Sequence, residues 1–340
     1  MIRKRVRNIF IFILILTMVF PISCSKKTQK SSDEVDVNQK IVLKVAHSNN
    51  QLHYYQMGLE KFKEVLEKET KGDAEVKIFP SGQLGNEEQE TLGVKQGIID
   101  GTFVSSDNLT PFVPQIELFN LPFLFRDLDH FYRILDGSIG QLIGRLIEDK
   151  VNCIFLGYCS TGIRNVWNNK KPVLISNDLD GLKIRVMNNP ILISTFNAFG
   201  IQTVTMSWNE LYFALQQGDI DGAEGTMSDL LLKRFYEVTK YVSLTNHLIG
   251  SAVFIFSRNK YQELPPYVQT AVLAAGRAAV LAAREAEAKM SKEALQELKK
   301  KGLKFYSVDK ELFKEKAQPF YEINVEKFGS LKLIEQIERQ

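Results

Sequence analysis

The residue with the most pointed chemistry in this 340-residue chain is an arginine set in an apolar strand. In Leu182-Lys183-Ile184-Arg185-Val186, strand alternation puts Lys183 and Arg185 on the face opposite Ile184. A guanidinium held there can grip a carboxylate through two parallel hydrogen bonds, which lysine cannot do. An arginine paired with an acidic neighbour at a strand end fits the same pattern, and spacing leaves both readings open. Polar residues also stand where other strands are predicted to end: Ser48, Ser105, Ser106, Asn108, Arg164 and Asn188. Signatures of catalysis are missing. The chain has no phosphate-cradling P-loop, no GxGxxG, no HExxH and no GxSxG elbow. His47, His53, His130 and His247 lack metal-ligand spacing, and Cys24, Cys153 and Cys159 make neither a disulfide framework nor a metal cluster. The pattern favours a binding protein without cofactor or metal over an enzyme.

Positioning such groups needs elements that end at one place. Ile41–Ala46 is a β-branched, apolar strand, followed by a helix with Tyr55, Leu59, Phe62 and Leu66 at helical spacing. Lys71-Gly72-Asp73 stops that helix; Val76 and Ile78 begin a second strand, and Pro80-Ser81-Gly82 turns into a helix over 86–96. Ile99–Val104 is a third strand. The series repeats: Gln96-Gly97-Ile98-Ile99-Asp100-Gly101 returns as Gln217-Gly218-Asp219-Ile220-Asp221-Gly222, and Leu43-Lys44-Val45 as Leu182-Lys183-Ile184. Alternating strands and helices argue for mostly parallel α/β units, and two such units argue for two similar lobes. Val151–Tyr158 and Ser251–Ser257 are strands between and after them, and Tyr267 to about Lys301 is one long alanine-rich helix reaching across both lobes. The expected fold is an α/β clamshell with its ligand in the cleft beyond the carboxyl ends of the strands.

The N-terminus follows other rules. Arg3, Lys4, Arg5 and Arg7 precede the apolar run Ile9–Phe20 and the break Pro21-Ile22-Ser23-Cys24. The run is too short for a spanning helix in a bilayer about 30 Å thick, and the arrangement reads as a secretory signal over 1–23. It resembles a bacterial lipoprotein signal, with Cys24 as the lipidated residue, although Pro21 departs from the usual Leu-like residue. Residues 24–40 read as a flexible tether. The full chain carries 43 basic and 40 acidic residues, and loss of the signal leaves 39 against 40. A near-neutral surface offers nucleic acid no electrostatic attraction.

From Ile41 almost to the C-terminus the sequence resembles the substrate-binding proteins of tripartite ATP-independent periplasmic (TRAP) transporters, of the C4-dicarboxylate-receptor (DctP) type. The landmarks are Phe79-Pro80-Ser81-Gly82-Gln83-Leu84-Gly85, Leu121-Pro122-Phe123-Leu124-Phe125-Arg126, Asp180 to Val186, Glu210 to Gly218, Asp221-Gly222-Ala223-Glu224, Lys233 to Val238 and Leu244-Thr245-Asn246-His247. The resemblance implies a periplasmic-binding-protein-like clamshell, with one lobe over 41–161 plus 251–290 and the other over 162–250 plus 291–340. It implies that Arg185 pairs with a ligand carboxylate and that Arg164 adds a second basic contact. Trp208 stands where Phe is usual, and Gly225 where an amide commonly helps to bind the ligand. The first lobe offers Ser48, His53, Glu87, Ser105 and Asn108; Glu224 is expected to face the ligand, and His247 to be structural. The implied partners are a small organic acid, the small and large integral membrane subunits of a TRAP transporter, and the membrane itself through a lipid anchor. A sugar acid is the first expectation for the ligand, on Glu87 and the polar loops, with C4-dicarboxylates and 2-oxo acids next. A sensory receptor subunit of the same fold is the alternative, followed by an exported enzyme built on the same lobes.

Overall fold

The computed structural model describes residues 40–328 and 331–340. The expected signal, Cys24 and the tether as far as residue 39 lie outside the described residues. The described chain builds one sheet. Its strands are β1 Ile41–Ala46, β2 Ala74–Phe79, β3 Gly101–Ser105, β4 Cys153–Asn168, β5 Lys183–Val186, β6 Gln202–Thr205, β7 Gly222–Gly225, β8 Tyr241–Ser257 and β9 Lys304–Ser307. They lie in the order β2-β1-β3-β8-β4-β7-β5-β6, with β9 beside β8. The helices are α1 Tyr54–Glu69, α2 Glu87–Gln96, α3 Leu128–Asp136, α4 Ser138–Val151, α5 Pro190–Ala198, α6 Leu211–Gln217, α7 Met227–Leu232, α8 Arg258–Glu263, α9 Pro266–Lys300, α10 Lys310–Phe328 and α11 Leu331–Arg339.

The sequence repeat is a structural repeat with a definite function. β1-α1-β2-α2-β3 and β5-α5-β6-α6-β7 are parallel units of the same design. Gly97 and Gly218 end α2 and α6 in the left-handed region, at φ 79° and 81°, where a side chain would be strained. Each repeated aspartate then pins its third strand to its first. The Asp100 carboxylate accepts from the Lys44 N–H at 2.6 Å and the Asp221 carboxylate from the Lys183 N–H at 2.9 Å. Their own N–H groups donate to the Lys44 and Lys183 carbonyls at 2.8 and 2.7 Å.

β4 and β8 are about twice as long as the sequence pattern suggests, because their apolar ends flank polar middles. Ser160, Thr161, Thr245 and His247 lie outside the expected strand spans 151–158 and 251–257, yet they are buried in the sheet. The two strands pair antiparallel from Cys153↔Ser257 to Asn168↔Tyr241, with register shifts at Phe155/Gly157, Ser160/Gly162 and Arg164/Val166. They join the two parallel units in one two-lobed fold. Each unit is packed on both faces, giving separate apolar clusters on either side. α9 serves both: Val268, Ala275, Ala279 and Ala283 pack on the α1 side of the first unit, and Ala294 and Leu298 on the second. Its alanines let α1 come close, so that a Cβ on Gly58 would stand 3.0 Å from the Ala279 carbonyl oxygen. Among the described residues no helix is long and apolar enough to cross a membrane.

One turn of the bulged region is demanding. Gly162 has φ +101°, and a Cβ there would meet Glu287 Oε1 on α9 at 2.6 Å. Gly162→Ala is expected to cost about 1–3 kcal/mol of stability, read as a lower urea midpoint at unchanged slope.

Candidate functional site

The parallel strands of both units end on a common cleft, and a cavity of about 320 Å³ lies there. That volume is at the small end of the roughly 300–1,000 Å³ that ligand pockets occupy, which suits one small molecule. One wall carries Ser48 just after β1, His53 as the N-cap of α1, Glu87 as the first residue of α2, Ser105 at the end of β3, and Asn108. The other carries Arg164 of β4, Arg185 of β5, Trp208 before α6 and Gly225 at the end of β7.

The two arginines are held differently. Arg164 grips Glu224 with two parallel bonds, Nε to Oε2 at 2.6 Å and Nη2 to Oε1. Burial opposes both charges, but each more than offsets it for the other: Arg164 is raised and Glu224 held well below the usual carboxylate range. His247 Nε2 lies 3.4 Å from the same carboxylate, and burial lowers the His247 pKa. Glu224, expected to face the ligand, is not among the residues that line the cavity. Its side chain is fully buried and off the cavity wall, because pairing with Arg164 is the less costly way to bury either charge.

Arg185 has no such partner. Its Nε and Nη2 donate to the Met206 carbonyl at 3.2 and 2.9 Å, and its guanidinium lies 5.3 Å from the centre of the Trp208 ring. Nη1 is buried with no hydrogen-bond partner among the described residues. Burial lowers its pKa to about 10, which leaves the group charged at neutral pH. Of the two readings of this strand, the acidic neighbour is absent: no carboxylate forms an ion pair with Arg185 among the described residues.

On the facing wall the polar residues converge on Glu87. Its Oε2 accepts from the Ser105 N–H at 2.9 Å and from Asn108 Nδ2 at 2.6 Å, and its Oε1 from Ser48 Oγ at 3.3 Å. Burial pushes its pKa up to about 7, against the pull of these donors. Three of the residues picked out individually in the sequence thus act together to aim one carboxyl group. His53 Nε2 reaches across to Asp229 Oδ1 at 3.4 Å, with burial lowering the imidazole pKa. Asn50 Nδ2 donates to the Leu232 carbonyl at 2.9 Å and Asn189 Nδ2 to Asp107 Oδ1 at 3.3 Å, so polar contacts tie one wall to the other. Sequence reasoning missed Asp229 and Met206. The first shows only as the fourth residue of a Thr226-initiated helix start, and the second acts through its backbone, which carries no side-chain signal.

Glu87 makes stability depend on pH. Its folded-state pKa lies above the ordinary value of 4.5, so the folded protein binds the extra proton between about pH 4.5 and 7 and loses stability as pH rises through that window. Melting temperatures of Glu87→Gln and the parent protein, measured from pH 4 to 8, should diverge in favour of the variant across this window and run parallel outside it.

The family model described as bacterial extracellular solute-binding protein, family 7, matches residues 45–327. The 2,3-diketo-L-gulonate-binding periplasmic protein YiaO of Escherichia coli K12 is 33% identical over 237 residues, which cover 70% of this chain and 72% of YiaO. A TRAP periplasmic solute-binding protein from Polaromonas, bound to D-erythronate, superposes with a TM-score of 0.84 at 32% identity, covering 88% of this chain and 98% of that one. One from Citrobacter koseri with bound D-glucuronate gives 0.82 at 33% identity, covering 87% and 98%. On its fold and its sequence alike, the chain belongs to family 7 of the bacterial extracellular solute-binding proteins, the family of TRAP solute receptors.

Proposed function

We propose that this protein captures a small carboxylate-bearing organic anion outside the cytoplasm and delivers it to the small and large membrane subunits of a TRAP transporter. Arg185 carries the reading. A charged guanidinium, removed from water and aimed into a cavity with one N–H edge unused, is stabilised by an anion that completes its bonds. The free edge is single, since Arg164 is already neutralised by Glu224. That favours one carboxylate per ligand, and Glu87, ringed by donors, favours hydroxyl groups at the other end. A sugar acid fits both conditions; C4-dicarboxylates and 2-oxo acids come after it. The relatives that bind D-erythronate, D-glucuronate and 2,3-diketo-L-gulonate support a sugar acid, and one with bound succinate keeps C4-dicarboxylates in the panel. In this proposal Ser48, His53, Ser105, Asn108, Trp208 and Gly225 complete the binding surface.

The lobes close by bending where the Ser160/Gly162 irregularity of β4 faces Gly250 and Ser251 of β8; 331–340, expected in the second lobe, packs through Ile334 and Ile337 on the core of the first. Closure excludes water from the arginine and presents the closed form to the membrane subunits. Cys24, after the signal segment, is the lipid attachment point that keeps the receptor at the membrane. Cys24→Ser should move the protein from the membrane fraction to the soluble exported fraction; an unchanged distribution counts against the anchor.

The ligand assignment is tested by thermal shift with D-glucuronate, D-galacturonate, D-erythronate and succinate. A binder at 100 times its Kd adds about 2.7 kcal/mol of stability. Arg185→Ala should weaken that binder by about 2–5 kcal/mol, on the precedent of truncated buried charge pairs. Equal affinity in the variant removes Arg185 from the mechanism.

A further inference from the structure

Away from the cleft, the second unit carries a concentrated positive surface that the binding site does not use. Lys240 stands just before β8, Lys299 lies in the last turn of α9, Lys301 caps that helix, and Lys304 opens β9. All four are exposed, and none forms an ion pair among the described residues. At the edge of the cluster Lys300 and Lys170 are paired with Glu297 and Asp221. The chain without its signal is near neutral, so this is a local excess.

Measured contacts hold the cluster together. The Lys304 N–H donates to the Lys240 carbonyl at 3.1 Å, and Lys304 is opposite Tyr241 in the sheet register. Three of the lysines lie over aromatic rings: Lys301 over Tyr236 at 4.5 Å, and Lys299 over Phe305 and Lys304 over Tyr241, both at 5.9 Å. The rings are half-buried. β9 pairs with β8 alone, and strand alternation puts Lys304 and Phe305 on its two faces, so the cluster wraps an edge strand. The negative end of a helix attracts cations, which accounts for Lys299 and Lys301. It does not account for Lys240 and Lys304, which other segments bring, nor for the rings beneath the charges. The edge is also remote from the ligand. Asn168 is opposite both Tyr241 and Gly222, which places the cluster at the start of β7, whereas the cleft lies at its end, at Gly225.

We propose that this edge is a docking surface for the anionic headgroups of a phospholipid membrane. Lysine is a point charge on a flexible stem and asks no fixed geometry of its acceptor, which suits a fluid layer of phosphates better than an acidic protein. Half-buried rings beside lysines suit the zone between water and acyl chains. The contact is reversible: it orients the body on the membrane and leaves the cleft free, while retention is the role of the anchor at Cys24. The proposal rests on the reading that the protein works at a membrane outside the cytoplasm.

The test uses the full chain carrying Cys24→Ser, so that lipidation does not mask the contact. It measures co-sedimentation with vesicles of phosphatidylcholine alone or mixed with phosphatidylglycerol. This protein should bind only the mixed vesicles, and should leave them at about 1 M salt, where the screening length falls to about 3 Å. Adding Lys299→Gln, Lys301→Gln and Lys304→Gln together should weaken binding about a hundredfold, at about fivefold for each lysine. Adding Lys68→Gln, Lys71→Gln and Lys77→Gln instead removes the same charge from exposed positions on the first unit, and should leave binding near its starting value. All six side chains are exposed, so melting temperatures should hold in both. If the mixed vesicles bind nothing, or the two triple variants lose binding equally, the docking surface is overturned. Capture by immobilised polyglutamate without vesicle binding overturns it too, and assigns the edge to an acidic protein. Calorimetry with D-glucuronate is read separately: the first triple variant should keep its affinity, and failure of every acid to bind would sink the carboxylate reading while the vesicle result stands.

Discussion

A guanidinium buried with no carboxylate paired to it among the described residues is the constraint around which this site is arranged. Burial drives down the pKa of Arg185, with Glu224, Asp107 and Glu87 opposing it from a distance, and its direct partners are the Met206 carbonyl and the face of Trp208. Arg164 shows what full compensation looks like, a bidentate grip on a carboxylate that is itself held low. The two arginines line one cavity, one paired with a carboxylate and the other not. Moving Glu224 to Arg185 would satisfy that arginine and leave no reason for an anion to enter.

Everything larger serves to bring that arginine opposite Glu87. The repeated Gln-Gly-x-x-Asp-Gly segment ends a helix with a left-handed glycine and locks the next strand with an aspartate. Used twice, it delivers two sets of strand ends to one cleft. β4 and β8 run through both units, so the walls are separate in packing yet continuous in hydrogen bonding. α9 adds a third connection, its alanines on the first unit and Leu298 on the second. The closure proposed for this body bends it at the irregular strand middles.

Much of this was legible in the residues because it is local. Ile41–Ala46 reads as a strand and is one; the glycine stops, the repeat and the long helix are written in short windows. The set of cleft residues was legible too, because strand-end polar residues gather wherever parallel strands end together. What escaped depends on partners far apart in sequence. Arg164 and Glu224 lie 60 positions apart, and only tertiary structure shows that they neutralise each other. Ser48, Ser105 and Asn108 read as three ligand contacts, yet they share one acceptor, Glu87. The middles of β4 and β8 look like loops because polar residues that pair inside a sheet have the same composition as polar residues that face water.

The central claim is that the anion is recognised by its charge at Arg185. The most direct measurement is a calorimetric comparison of the sugar acid that binds with its own primary amide, which has nearly the same shape and no charge. The account predicts that the acid binds and that the amide binds at least a hundredfold more weakly, since a buried charge-assisted pair is worth about 3 kcal/mol or more over a neutral contact. Equal affinity for acid and amide would contradict it, and would mean that shape and hydroxyl contacts, not the guanidinium, select the ligand.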